Sequence, residues 1–270
     1  MYEIVKKHIV EEYKSDHHLL LSLIKSNIGI RKSEHKSISK FGGAPLLPRR
    51  FDIKEYLEKP LSFLCQIFVD EFQSLDEYKY LKKGTILYFF INPNLSYPIK
   101  KEDFKVFSLP YHKDFSKHKD SNQLVFDELF LEFFSHYNFP SYQSYVMEKV
   151  EKDNFELDEE IEEIQDFINT YNNLTLDSEG SQLFGNPQAI QGTVSLHWAI
   201  NSLRLNYNFS EKELLKIRKE EEEFILLLQL DVSDIKFTEV FGDGVFYFGI
   251  KKQDIVNNIF NNIELVYQST

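Results

Sequence analysis

The chain has 270 residues, 42% hydrophobic and 27% charged, with few glycines and prolines, a composition that excludes a disordered or fibrous protein. Its 31 basic and 43 acidic residues leave a formal charge of −12, which speaks against nucleic acid and against an anionic membrane as partners. The single cysteine, Cys65, excludes an intramolecular disulfide, and with no apolar signal segment in Met1 to Lys14 and no stretch long enough to span a bilayer, the cytoplasm is the expected location.

Ile4, Val5, Ile9 and Val10 recur at helical spacing, and Asp16 is a fair N-cap for a second helix carrying Leu19, Leu20, Leu23 and Ile24. Residues 1–30 are therefore expected to be helical. A glycine loop follows, Phe41-Gly42-Gly43-Ala44-Pro45-Leu46-Leu47-Pro48, in which glycine permits unusual backbone angles and proline stiffens the exit. Leu61 to Val69, apolar on both faces, predicts a central strand. A short acidic helix over about 70–80 and an aromatic strand over Ile86 to Ile91 come next, and residues 92–124 predict loops and short strands.

The middle, about 125–172, is expected to be helical, because Leu157, Ile161, Ile164, Phe167, Ile168 and Tyr171 follow helical spacings. Val194 to Ile200 alternates and reads as a strand, with His197 beside Trp198. Ser210-Glu211-Lys212-Glu213 is a capping box that opens a helix to about Glu222. Phe224 to Val232 and Val245 to Ile250 predict two strands, Asp254 a cap for a helix near 255–261, and Ile263 to Tyr267 a closing strand.

Two stretches match each other. Leu64-Cys65-Gln66-Ile67-Phe68-Val69 resembles Leu227-Leu228-Gln229-Leu230-Asp231-Val232, and Ile86 to Ile91 resembles Val245 to Ile250. Each pair follows a Gly/Pro loop, the second being Phe184-Gly185-Asn186-Pro187-Gln188. The expected fold is α+β: one compact domain over residues 1–270, a mainly antiparallel sheet flanked by helices, with a duplicated loop–strand–strand unit at about 40–92 and 183–267. Gln66 and Gln229 occupy equivalent points in apolar strands, where an unpaired amide would cost about 1–3 kcal/mol. They either pin the loops to the sheet or line a cleft between the halves with Gly42, Gly43, Gly185, Gln191, Tyr88 and Tyr247, contacting a ligand.

The glycine loop, the Leu61-Ser62-Phe63-Leu64-Cys65-Gln66 strand, Leu183-Phe184-Gly185-Asn186-Pro187 and Leu226 to Asp231 with Gly242-Asp243-Gly244 together resemble the YwqG-like proteins, uncharacterised bacterial proteins, over roughly residues 40–265. The resemblance implies a compact α+β fold with internal pseudo-symmetry, no known catalytic residues, and a role for some members in neutralising toxins. The chain departs from that family's pattern at Ser181, where histidine is common, and at Phe224, where tryptophan is.

No nucleophile elbow, phosphate-binding loop, dinucleotide fingerprint or zinc-protease motif is present, and no cofactor or metal is expected. Cys65 sits in an apolar strand, His17-His18 and His112 with His118 complete no four-ligand set, and Asp231, Asp234, Glu239 and Asp243 fit capped turns better than a calcium loop. The acidic stretches Glu151 to Asp166 and Glu220 to Glu223 are either solvated helix faces or a surface that attracts a basic protein, with Glu159, Glu160, Glu162 and Glu163 as its contacts. The expectation is a non-enzymatic binding protein, an immunity-type inhibitor of a basic partner. The alternative is a small-molecule or peptide binder, or a hydrolase, using the cleft between the repeated halves.

Overall fold

The computed structural model describes residues 2–57, 59–118, 124–153, 157–171 and 180–269. Helices α1 (Tyr2–Glu12) and α2 (His17–Leu23) lead into strand β1 (Lys25–Lys32). Short strands β2 (Lys40–Phe41) and β3 (Leu46–Leu47) flank the first glycine loop, followed by β4 (Ser62–Phe68), β5 (Thr85–Ile91), β6 (Phe104–Pro110), β7 (Ser116–Lys117) and β8 (Leu129–Asn138). Helices α3 (Tyr145–Asp153) and α4 (Leu157–Tyr171) form the middle. Then come β9 (Ser181–Leu183), α5 (Val194–Leu203), α6 (Glu211–Glu221), β10 (Phe224–Asp231), α7 (Thr238–Phe241), β11 (Gly244–Lys251), α8 (Lys252–Val256) and β12 (Glu264–Ser269).

Ten strands make one antiparallel sheet in the order β12-β11-β10-β9-β1-β8-β2-β4-β5-β6. The sheet curls until its ends meet: Phe89 and Phe248 pack edge to face at 5.1 Å, and Lys101 Nζ lies 2.7 Å from a Glu264 carboxylate oxygen. The concave face encloses one core in which Leu64, Ile67 and Phe89 meet Leu228, Phe246 and Phe248. On the convex face, α1, α2 and α4 bury Val5, Ile9, Leu20, Ile161 and Ile164 against Tyr137 and Phe139.

Helices and a large antiparallel sheet are thus both present, but five local expectations are corrected. Lys25–Lys32 is a strand inside the region expected to be helical, and Leu129–Asn138 is a ten-residue strand inside the expected helical middle. They form the central pair of the sheet, so tertiary pairing decides their conformation. The acidic segment after β4 makes one 3₁₀ turn, Val69–Glu71, and then a turn in which Asp76 accepts the amides of Tyr78 and Lys79. Val194–Leu203 is a helix: Trp198 covers the backbone of Gly249, whose missing side chain leaves room for the indole, while Ala199 and Ile200 face α6. The segment after Asn92 holds the seven-residue β6. Lys251, one turn earlier than expected, is the N-cap of α8. The Ser210–Glu213 capping box forms in both directions. Residues 154–156 of the acidic stretch lie outside the described residues.

Candidate functional site

The two glutamines organise each half of the sheet, and their hydrogen bonds correspond one to one. Gln66 Oε1 accepts the Leu46 amide at 2.8 Å and its Nε2 donates to Ile38 O at 2.6 Å. Gln229 Oε1 accepts the Gln188 amide at 2.9 Å and its Nε2 donates to Gly180 O at 3.0 Å. Each pairs across the ladder with a tyrosine, Tyr88 or Tyr247, whose hydroxyl donates at 2.6 Å to the carbonyl of the same loop residue, Leu46 or Gln188. In both halves the β-ladder slips two residues before the glutamine, at Leu64 and at Leu227. Ser39 Oγ accepts the Phe68 amide as Ser181 Oγ accepts the Asp231 amide. The carboxylates of Glu71 and Asp234 accept the amides of Ser39 and Ser181.

The loops themselves correspond as well. Gly42 and Phe184 have φ of 56° and 61°, Gly43 and Gly185 68° and 75°. Lys40 and Gln182, the ladder neighbours of Gln66 and Gln229, are both buried and both reach into the loop, Lys40 Nζ to Ala44 O at 2.6 Å and Gln182 Nε2 to Asn186 O at 2.9 Å. Here the halves diverge chemically. Lys40 also meets the Glu128 carboxylate at 2.6 Å, whereas Gln182 and Asn186 join a neutral network with Asn138.

Gln66, Gln229, Tyr88 and Tyr247 are fully buried and their polar atoms engage loop backbone, so they shape the loops and do not face an open cleft. Gly42 and Gly43 lie against Asp127 and Glu128. Gln191 is exposed, its amide and carbonyl both held by Gln268. Of the eight residues only Gly185 lines a sizeable cavity. Cys65 is fully buried and burial drives its thiol pKa well up, which suits a core residue. Glu159, Glu162 and Glu163 are exposed on α4 and Glu160 is half-buried; Glu163 accepts the Tyr13 hydroxyl.

The cavity that Gly185 lines measures about 400 Å³. Its aromatic wall comes from distant segments: Tyr78 and Tyr80, stacked at 5.2 Å, meet the edge of Phe184, and Trp198 and Phe224 lie 6.0 Å apart. Pro140, Ser141, Ser144 and Tyr145 close one side, and the first turn of α5 another. Arg218 stacks on Tyr145 at 3.6 Å and bonds the buried Glu221 at 2.9 Å, which also takes the Ser195 hydroxyl. Lys25, at the start of β1, and Lys252, at the start of α8, supply two further cations. Gly185 and its loop, Phe224 and the Glu220–Glu223 stretch stand out in the sequence, but Tyr78, Tyr80, Lys25, Arg218 and Lys252 do not, because no periodicity links these segments.

A smaller cavity of about 190 Å³ lies over the β9-β1-β8 junction, lined by Asn27, Phe134, His136 and Gln182. His136 is held neutral, its pKa pushed down to about 4 by burial against the opposing hydrogen bond to Asn169. Among the described residues, the buried Asn27 side-chain amide finds no hydrogen-bond partner at either end.

Among curated proteins none matches the chain. A family profile spans it from β2 to β12 and leaves α1, α2 and β1 outside. By that match, over residues 39–269, the chain belongs to the family described as Domain of unknown function (DUF1963).

Proposed function

We propose that the protein is a YwqG-like member of its family whose two halves are copies of one loop–strand–strand unit, and that it is a binding protein for a small molecule or short peptide. Support for the duplication is the one-to-one correspondence of the Gln66 and Gln229 hydrogen bonds, tyrosine partners and ladder slips. The observation that carries the functional reading is the cavity of about 400 Å³ beside the second glycine loop, within the size range of ligand sites, with aromatic walls and a few charged groups. Gln229 braces the second glycine loop beside the cavity, and the ligand meets the aromatic wall beyond it.

Trp198, the only tryptophan, forms part of that wall and reports occupancy directly. A fragment library read by Trp198 fluorescence is expected to give saturable changes that disappear in Ala189→Phe, which fills the cavity. A library that gives none up to millimolar concentration overturns the reading.

A second reading rests on the exposed carboxylates of Glu159, Glu162 and Glu163 on α4 and the −12 charge of the chain: the protein inhibits a basic protein partner. Affinity capture at low salt is then expected to retain one stoichiometric basic protein that is lost as salt rises. Association insensitive to salt speaks against it.

A further inference from the structure

We infer that the cavity beside the second glycine loop selects an anion, a carboxylate carried on an aromatic or apolar body, and that Lys25 and Lys252 receive the charged end. The inference rests on the cavity reading above and names its ligand class. Charge is the first observation. The chain as a whole carries −12, yet this cavity is lined by three cations, Lys25, Lys252 and Arg218, against two carboxylates, Glu221 and Glu222. Arg218 is committed to Glu221, which leaves two lysines against one carboxylate, Glu222, an excess of positive charge in the lining.

The lysines are the second observation. Lys25 has no hydrogen-bond or carboxylate partner among the described residues, and Lys252 has only the Glu222 carbonyl at 3.1 Å. They come from opposite ends of the chain, the first residue of β1 and the first of α8, and both are lining residues. Two like charges that line one cavity, against the single remaining carboxylate of Glu222, favour a ligand that supplies a further anion. Lys25 is exposed as a residue, yet protein crowding around its amine, and after it the Lys252 charge, hold its pKa below the ordinary lysine value. An arriving carboxylate relieves both effects.

The walls decide the rest of the molecule. Tyr78, Tyr80, Phe184, Trp198 and Phe224 offer ring faces and edges in place of further hydrogen-bond donors. The first turn of α5, whose N-cap Thr193 makes no side-chain capping bond, adds the positive end of a ten-residue helix to the same lining. A small dianion such as inorganic phosphate would leave the aromatic wall unused. An apolar acid uses both parts.

The test is calorimetric binding of 3-phenylpropanoate against its neutral isostere 3-phenylpropanamide. Wild-type protein is expected to favour the acid by about tenfold or more, since charge-assisted contacts are the stronger ones. The ratio is expected to fall as pH climbs toward 10.5, because Lys25 gives up its proton earlier than an ordinary lysine. In the double variant Lys25→Gln/Lys252→Gln the ratio is expected to fall to about one while the amide still binds; both side chains are exposed, and an unchanged melting curve confirms that the variant is folded. Equal affinity of acid and amide for the wild type overturns the inference and leaves the cavity reading standing, as does a preference that survives in the double variant. Failure of the acid to bind also overturns it, and if the fragment screen is empty too, the cavity reading falls with it.

Discussion

Gln66 and Gln229, deep in otherwise apolar strands, each satisfy one backbone donor of a glycine loop, Leu46 or Gln188, and one backbone acceptor upstream of that loop, Ile38 or Gly180. Replacing either with leucine keeps the volume but strands one backbone donor and one backbone acceptor. Gln66→Leu and Gln229→Leu are each expected to cost about 2–4 kcal/mol in urea unfolding, and Tyr88→Phe, which removes a single donor, about 1 kcal/mol. A loss below about 0.5 kcal/mol for the leucine variants would show that the loops hold themselves. The asparagines give a contrast on adjacent strands. Asn138 donates to Gln182 and to the Asn186 carbonyl and accepts the Asn186 amide, while the side-chain amide of the buried Asn27 has no partner among the described residues. Asn138→Ala is therefore expected to destabilise by about 2–4 kcal/mol and Asn27→Ala by clearly less, and equal losses in denaturant titrations would refute the difference.

Elements differ in which half carries charge. The first glycine loop is braced by the Lys40–Glu128 pair, with Lys117 adding a second cation at 2.9 Å, where the second loop has neutral amides. Burial works against the Glu128 carboxylate, but the hydrogen bonds and charges of Lys40 and Lys117 outweigh it and hold its pKa below 4.5. A carboxyl whose folded pKa lies below its unfolded value stabilises fully above the unfolded pKa and loses that contribution as pH falls through the folded one. Stability is thus expected to decline below about pH 4.5, less steeply in Glu128→Gln, and identical slopes for both proteins would exclude the pair as a source. The strands carrying the glutamines were legible because each is a continuous apolar run broken by one polar residue, and the Ser210 box because its spacing is local. β1 was hidden: Lys25-Ser26-Asn27-Ile28-Gly29-Ile30 looks broken at Gly29, yet the Phe134 ring from β8 occupies the space its side chain would need. In α5, Val194, Leu196, Trp198 and Ile200 alternate by chance because the helix is apolar on two sides, one toward β10 and β11 and the other toward α6. The large cavity was illegible for another reason, since its walls converge only once the sheet has curled.

At the scale of the molecule, the family match starts at residue 39, yet the strand that joins the two halves precedes it. β1 pairs with β8 from Lys25 opposite Asn138 to Lys32 opposite Leu131, and on its other edge with β9 through Ile28, Gly29 and Ile30. In the sheet order it is the only strand between the half ending at β9 and the pair β8-β2. Ile28 and Ile30 enter the shared core, and α1 and α2, just ahead of β1, bury their apolar residues against α4. A fragment of residues 39–270 would therefore expose two facing strand edges and an uncovered apolar surface, the circumstances that drive association between chains. It is expected to lose cooperative thermal unfolding and to elute as aggregate in size-exclusion chromatography, and a synthetic peptide of residues 1–38 is expected to restore the elution volume and circular dichroism spectrum of the full-length protein. A fragment that is monomeric and melts like the whole protein would reduce β1 to an accessory strand. The same strand begins with Lys25 in the lining of the cavity, so a restored fragment should also recover the proposed preference for an acid ligand, joining assembly of the sheet and charge of the site in one experiment.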